Sequence, residues 1–156
     1  MSQAASTLRV VVRRVNAAVH FLAETGSGAR VSIDGAPAIG GQGLGARPME
    51  LLLAGLGGCS GIDVVGILTK QRQPVEDVTV AVEGARAPGE PSVFERIHVH
   101  ITVQGPTDAN AVARAVALSM DRYCSVARVL ERSASITYSH DLVPAVGTRA
   151  VGSAGA

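Results

Sequence analysis

The chain of 156 residues is poor in aromatic side chains and carries little excess charge of either sign. It contains no tryptophan, two tyrosines and two phenylalanines, so a platform that stacks bases or sugars is not expected. The formal net charge is +1, and like charges form no block along the sequence. We therefore expect no nucleic-acid partner and no membrane docking by charge.

Signals for export and membrane insertion are also lacking. The N-terminal residues have no basic segment followed by an apolar one, which predicts no signal peptide and a cytoplasmic location. The weakly charged stretch at 51–62 is too short to span a bilayer, so no membrane partner is expected. Thiols stay reduced in the cytoplasm, and a structural disulfide is not expected there.

The pattern of apolar residues predicts an α+β fold. Its order is βββ-α-ββ-α-α-β, with helices packed on a mainly antiparallel sheet. The length predicts one domain over 1–143, followed by a flexible Ala/Gly-rich tail at 144–156. The expected strands are 8–15, 18–24, 30–33, 75–83, 93–104 and 134–140, and the expected helices are 49–72, 107–123 with Thr107 as N-cap, and 125–132.

The first predicted helix is apolar nearly all round, which indicates a buried central element. It contains several glycines, each of which disfavours an isolated helix by about 1 kcal/mol relative to alanine. Such residues usually have a packing reason, because they let another backbone or a ligand approach closely. The glycines are Gly55, Gly57, Gly58, Gly61 and Gly66.

Two cysteines are the strongest nucleophiles of the chain, and they do not form a C-x-x-C pair. The glycines around Cys59 leave room for a substrate, although a buried cysteine often acts only as a small hydrophobic residue. Cys124 lies between Arg122 and Arg128, which predicts an exposed thiol of low pKa or a resolving thiol. The alternative for Cys124 is again a core thiol.

Asp63 follows Cys59 by one helical turn and is expected on the same face. A carboxylate there raises the pKa of a thiol unless a cation accompanies it, so Asp63 is expected to orient an arginine or to form a buried ion pair. His98 and His100 share one face of a strand and are expected to be solvated rather than to bind a metal. The sequence thus predicts neither a metal nor a cofactor.

The segments around the two cysteines resemble the OsmC/Ohr family, the osmotically inducible protein C and organic hydroperoxide resistance proteins. The segments are R-P-M-E-L-L-L-A-G-L-G-G-C-S-G-I-D-V-V and A-V-A-L-S-M-D-R-Y-C-S-V, and the resemblance runs over about 8–140. It favours the OsmC-like subgroup. The implied fold is a sheet that wraps two central helices in an intertwined homodimer, with sites at the subunit interface.

The resemblance implies a cofactor-free peroxidase that reduces small organic or fatty-acid hydroperoxides to alcohols. In this interpretation Cys59 attacks the peroxide and becomes a sulfenic acid, and Cys124 condenses with it to a disulfide. A dithiol reductant of lipoyl or thioredoxin type then restores the pair. The implied substrate pocket includes Met49, Gly55, Gly58 and Asp63.

The sequence departs from the family at the start of the first helix. In the hydroperoxide resistance branch, the glutamate directly after proline pairs with an arginine that activates the thiolate. Here Met49 holds that place and Glu50 follows, which rotates the carboxylate by about 100° on an ideal helix. Arg30 and Arg47 are candidates for the arginine by position. The alternative functions are a non-enzymatic dimer that binds an apolar or acyl ligand, and a redox sensor.

Overall fold

The structure, a computed structural model, describes residues 5–146. The chain divides into two compact units, one ending at Leu52 and the other beginning at Leu53. The predicted order of elements is confirmed, and the predicted tail from 147 onward lies outside the described residues. The elements are β1 (Val10–Arg14), β2 (Phe21–Thr25), β3 (Arg30–Ile33), α1 (Pro48–Lys70), β4 (Asp77–Arg86), β5 (Phe94–Gln104), α2 (Ala109–Leu118), α3 (Ser125–Leu130) and β6 (Ser135–Val143).

The first unit is a three-stranded antiparallel sheet in the order β1-β2-β3. The glycine-rich loop after β3 is organised by Asp34, whose carboxylate accepts hydrogen bonds from the backbone N–H groups of Gly35, Gln42 and Leu44. The N–H groups of Leu44 and Gln42 lower the pKa of Asp34. A single carboxylate thus holds a loop that leads directly into α1.

The second unit contains a three-stranded sheet in the order β4-β5-β6. The pair β4-β5 is antiparallel, whereas β5 and β6 are parallel because α2 and α3 form the crossover between them. Alternate side chains of β5 are buried in the core, and so is one side of α2. The buried residues include Ile97, Val99, Ile101, Val103, Val112 and Val116.

The prediction that α1 is buried all round is wrong for this chain. Its buried residues are Leu56, Ser60, Val64 and Leu68, which recur with the helical period on one side. Ile62 on another side is 75% exposed. The sequence could not predict which side of α1 is buried, because an apolar residue favours burial but does not specify which element covers it.

The glycines of α1 fall into two groups. A Cβ on Gly57 would lie 3.2 Å from Val82, and one on Gly61 would lie 3.2 Å from Val80. These two glycines therefore let α1 pack closely against β4. A Cβ on Gly55 or Gly58 would meet nothing within 4 Å.

By length and composition alone, α1 could cross a membrane. It has 23 residues, and the mean hydropathy of an 18-residue window within it is 1.9, so the apolar segment is longer than the stretch 51–62. Core helices of soluble proteins meet the same criteria, and α1 has a buried face in the second unit. The helix therefore gives only weak evidence about membranes.

Candidate active site

Two helices bring three reactive side chains together in the second unit. The sulfur atoms of Cys59 and Cys124 and a carboxylate oxygen of Asp63 all lie within 4.8 Å of one another. Cys59 and Asp63 are four residues apart on α1, which places them on the same helix face as predicted. Cys124 directly precedes α3 and is its N-cap residue. The two cysteines, far apart in the sequence, thus share one site.

A turn of π-helix at Ser119–Tyr123 positions Cys124. The predicted helix to Tyr123 instead ends at Leu118, and its N-cap is Asp108 rather than Thr107. The N–H group of Cys124 donates to the carbonyl oxygen of Ser119 at 2.8 Å, which closes the wider turn. Single π-turns often occur at functional sites, and this one directs Cys124 away from the continuation of α2.

The surroundings of Cys124 correct the expectation of an exposed thiol of low pKa. The side chain is fully buried, and this burial raises its pKa to about 11. Hydrogen bonding and charge from Cys59, and the charge of Asp63, also raise it, whereas the Ala127 N–H group, which donates to the sulfur at 3.5 Å, lowers it. Cys124 is therefore a protonated, desolvated thiol at neutral pH.

The neighbouring arginines have other partners. Arg128 donates to the carbonyl oxygens of Met120 and Asp121 and forms an ion pair with Glu131 at 3.0 Å, so it stabilises the end of the π-turn. The guanidinium of Arg122 lies 5.6 Å from the ring centre of the adjacent Tyr123. Their nearness to Cys124 in sequence therefore does not create a stabilised thiolate.

The predicted ion pair of Asp63 is also wrong within residues 5–146, where its carboxylate has no cationic side chain within 4.0 Å. Instead, the hydroxyl group of Ser119 donates to Asp63 at 3.0 Å. Ser119 is fully buried, and the bond joins the π-turn to α1. Asp63 is thus held by a neutral partner, and its carboxylate lies close to both thiols.

Cys59 is the more accessible of the two cysteines. Its side chain is half-buried, and the residue after it, Ser60, turns its hydroxyl group back to the Leu56 carbonyl oxygen. Beside the site, a groove of about 560 Å³ follows the exposed side of α1. Its wall includes Ile62, Asp63, Gly66, Ile67, Lys70 and Tyr123. An apolar groove that reaches Asp63 suits an alkyl chain.

The remaining predicted residues are placed as follows. Arg30 forms an ion pair with Glu24 at 3.2 Å, and the carboxylate of Glu50 accepts a hydrogen bond from the Arg47 N–H group at 2.8 Å. Glu50 therefore caps the start of α1, as in the second half of a capping box. Met49 precedes it in the same first turn. The activating roles of Arg30, Arg47 and Glu50 stay predictions, as do the pocket roles of Met49, Gly55 and Gly58.

The two histidines form a ladder of hydrogen bonds between β5 and β6. Both ring nitrogens of His98 pair with hydroxyl groups, those of Thr137 and Ser139, at 2.7 and 2.8 Å. His100 contacts Ser139 at 2.7 Å and Asp141 at 3.3 Å. These rings are therefore engaged on the sheet face rather than simply solvated.

Sequence reasoning missed Ser119 and the N–H group of Ala127. Each is a partner of a reactive side chain, Asp63 and Cys124 respectively. Ser119 lies within the segment that carries the family resemblance, and its spacing of five residues from Cys124 is the only signal that marks it. The π-turn that gives this spacing its meaning has no recognisable sequence pattern.

Comparison with known proteins identifies the family of this chain. The family model for OsmC-like protein matches residues 41–139, a segment that includes both cysteines. The protein YhfA of Escherichia coli (strain K12) is 44% identical over 132 residues, which cover 80% of this chain and 91% of YhfA. The chain belongs to the OsmC-like family.

Solved structures support the family assignment at the level of the fold. A hypothetical protein from Aquifex aeolicus VF5 matches with a TM-score of 0.78 and 31% identity, covering 90% of this chain and 98% of that one. An organic hydroperoxide resistance protein OsmC from Legionella pneumophila matches with a TM-score of 0.67, covering 89% of this chain and 99% of that one. At 18% identity, the second likeness shows the fold alone. The α+β fold predicted for an OsmC-like protein is thereby confirmed.

Proposed function

We propose that this OsmC-like protein is a thiol-dependent peroxidase that reduces organic hydroperoxides to alcohols. The observation that carries the proposal is the approach of the Cys59 and Cys124 sulfur atoms to within 4.8 Å, both as free thiols. A disulfide bond is about 2.05 Å long, so the two sulfurs need to approach by less than about 3 Å to form one. Membership of a family that includes hydroperoxide resistance proteins is consistent with this chemistry.

The different burial of the two thiols supports a particular order of action. Cys59 is half-buried and reaches a substrate, whereas Cys124 is fully buried. The Cys59 thiolate attacks the terminal oxygen of the hydroperoxide, and the O–O bond breaks. The alkoxide leaves with a proton as the alcohol, and Cys59 becomes a sulfenic acid. The peroxide is thus reduced by two electrons.

Cys124 resolves the sulfenic acid. Its sulfur attacks that of Cys59, the thiol proton joins the departing hydroxide as water, and a disulfide forms. A lipoyl- or thioredoxin-type dithiol then reduces the disulfide by two electrons and becomes a disulfide itself. The buried, protonated state of Cys124 keeps it from competing for the peroxide, because the thiolate is the nucleophilic form.

The groove beside Asp63 offers a site for the alkyl group of the substrate. Its apolar wall suits an alkyl or acyl chain, and Lys70 in the same groove suits the carboxylate of a fatty-acid hydroperoxide. The exposed apolar residues of α1, Ile62 among them, favour a homodimer in which a second copy covers them. Neither nucleic acid nor a membrane is part of the proposal.

A stoichiometric challenge tests the proposed function. Reduced protein is mixed with one equivalent of cumene hydroperoxide, alkylated after seconds, and analysed by intact mass and non-reducing peptide mapping. We expect the loss of two hydrogens and a peptide that links Cys59 to Cys124. If both thiols remained free after minutes, the peroxidase proposal would be wrong.

A second candidate function follows from the groove itself. A volume of about 560 Å³ is large enough for an acyl chain, so the protein could hold an apolar ligand without reacting. Unchanged thiols together with saturable binding of a fatty acid would support this function in place of the peroxidase. A disulfide that forms once, but that no dithiol reduces, would instead indicate a redox sensor.

A further inference from the structure

Cys59, Asp63 and Cys124 also have the composition of a metal site, which the sequence analysis did not predict. They supply two sulfur atoms and one carboxylate oxygen, all within 4.8 Å of one another. We infer that these three side chains bind one thiophilic divalent cation of the Zn²⁺ type in the reduced protein. The site needs both free thiols and the carboxylate of Asp63, and it does not depend on whether the thiols reduce a hydroperoxide.

The separation of the donor atoms fits such a cation. Zinc binds sulfur at about 2.3 Å and carboxylate oxygen at about 2.0–2.2 Å, so tetrahedral ligand atoms lie about 3.5–3.8 Å apart. The three atoms of this site lie within 4.8 Å of one another and so have to approach by about 1.3 Å at most, which side-chain rotation supplies. Two thiolates with one carboxylate favour zinc or cadmium over magnesium or calcium, whose preferred ligands are oxygen atoms.

Two of the ligands already have the outer contacts that metal ligands commonly have. The Ser119 hydroxyl group donates to Asp63 at 3.0 Å, and the Ala127 N–H group donates to the sulfur of Cys124 at 3.5 Å. Such contacts fix the orientation of a ligand and offset part of its charge. The carboxylate and the buried sulfur are therefore oriented before a cation arrives.

The charge and access of the site point the same way. Asp63 has no cationic side chain within 4.0 Å among residues 5–146, so its charge is left for a cation to neutralise. Cys59 and Asp63 are half-buried, and the groove reaches Asp63. Three protein ligands with an open side leave the fourth position for water. On binding, the cation displaces the proton of each thiol to solvent, so that both sulfur atoms become thiolate ligands and no longer react with peroxide.

Titration with Co²⁺, whose colour reports sulfur ligands, tests the inference. The intact protein is reduced with a phosphine, freed of reductant and titrated under argon. We expect a sulfur-to-cobalt charge-transfer band that saturates at one Co²⁺ per chain and disappears on addition of Zn²⁺. Cys59→Ser and Cys124→Ser should each lose the band, and Asp63→Ala should bind at least about 10-fold more weakly.

Matched controls separate this site from other donors and from damage to the fold. Asp121→Ala removes a nearby carboxylate that binds Tyr138, and His100→Ala removes an imidazole on the sheet; both should titrate as the native protein does. Asp63→Asn keeps an oxygen that can accept the hydrogen bond of Ser119, and this variant should still bind Co²⁺ weakly. Circular dichroism checks that the variant is folded. Absence of the band in native protein, an unchanged affinity of Asp63→Ala, or loss of the band in His100→Ala would each overturn the inference.

Discussion

The two cysteines occupy opposite environments although their sulfur atoms lie within 4.8 Å of each other. Cys59 lies in the middle of a 23-residue helix, half-buried and next to Gly58, whose Cβ position faces open space. Cys124 lies at the junction of a π-turn and a six-residue helix, and it is fully buried. One thiol meets solvent and the other meets protein.

This difference shows how a single site can give two identical side chains different roles. Burial is the largest influence that raises the pKa of Cys124 to about 11, and the negative charge of Asp63 adds to it. The Ala127 N–H group opposes them only in part. Desolvation thus keeps Cys124 protonated at neutral pH, which suits the resolving role that we propose for it.

The largest expected effect comes from removing each thiol in turn. Cys59→Ser should lower peroxidase turnover by at least about 10³-fold, because it removes the more accessible of the two thiols, the proposed nucleophile. Cys124→Ser should still consume one equivalent of peroxide and accumulate a sulfenic acid, which dimedone labelling detects by mass. Equal labelling of both single variants would abolish the distinction between attacking and resolving thiols.

The raised pKa of Cys124 should make stability depend on alkaline pH. The folded state holds this proton more tightly than an ordinary thiol of pKa 9.0 does, so between about pH 9 and pH 11 it binds more protons than the unfolded state. Stability is therefore complete below about pH 9 and decreases as pH rises to about 11. The loss due to Cys124 should reach about 2–3 kcal/mol.

Urea unfolding from pH 8 to 11 measures this loss, and Cys124→Ala provides the comparison. The pKa of Tyr138 is raised as well, by burial and by its bond to Asp121, so both proteins should carry Tyr138→Phe. The difference in unfolding free energy between the two proteins then reports the contribution of Cys124 alone. Parallel pH profiles for the two proteins would contradict the raised pKa.

The sequence predicted the order of the elements because their signals are local. Pro48 and Lys70 mark the ends of α1, and the alternation of apolar residues in β5 identifies a half-buried strand. The prediction that Cys124 is exposed was wrong, because the preceding residues D-R-Y are polar and suggest exposure. The burial of Cys124 depends on the π-turn and on α1, which is distant in sequence, so the sequence around Cys124 does not reveal it.

The hydrogen-bond partner of Asp63 could not be predicted from the sequence for the same reason. Its position one turn after Cys59 follows from the helix period, and its effect on a thiol follows from its charge. Its partner Ser119, however, lies 56 residues away in sequence. The sequence predicted that Asp63 orients an arginine or forms an ion pair. In the structure its partner is the hydroxyl group of Ser119.

Removing the charge of Asp63 should make the two thiols more alike. Asp63→Asn eliminates a carboxylate that raises the pKa of Cys124, so this pKa should fall and alkylation of Cys124 at pH 8–9 should become several-fold faster. The measurement is the rate of iodoacetamide labelling in a Cys59→Ala background. Asp121→Asn is the matched control, because Asp121 binds Tyr138 instead. A rate unchanged by Asp63→Asn would remove Asp63 from the electrostatics of the site.

The smallest expected effect concerns the groove beside Asp63 that we propose for the alkyl group of the substrate. Lys70 lies about 10 Å along the helix from Asp63 and shares the groove with it, so its charge is placed for the carboxylate of a fatty-acid hydroperoxide. Lys70→Met should raise the KM for linoleic acid hydroperoxide a few-fold, because an exposed ion pair contributes less than about 1 kcal/mol. The KM for cumene hydroperoxide, which has no carboxylate, should stay constant. An equal change for both substrates would mean that Lys70 shapes the groove without recognising charge, and that access to Cys59 is selected by the apolar wall alone.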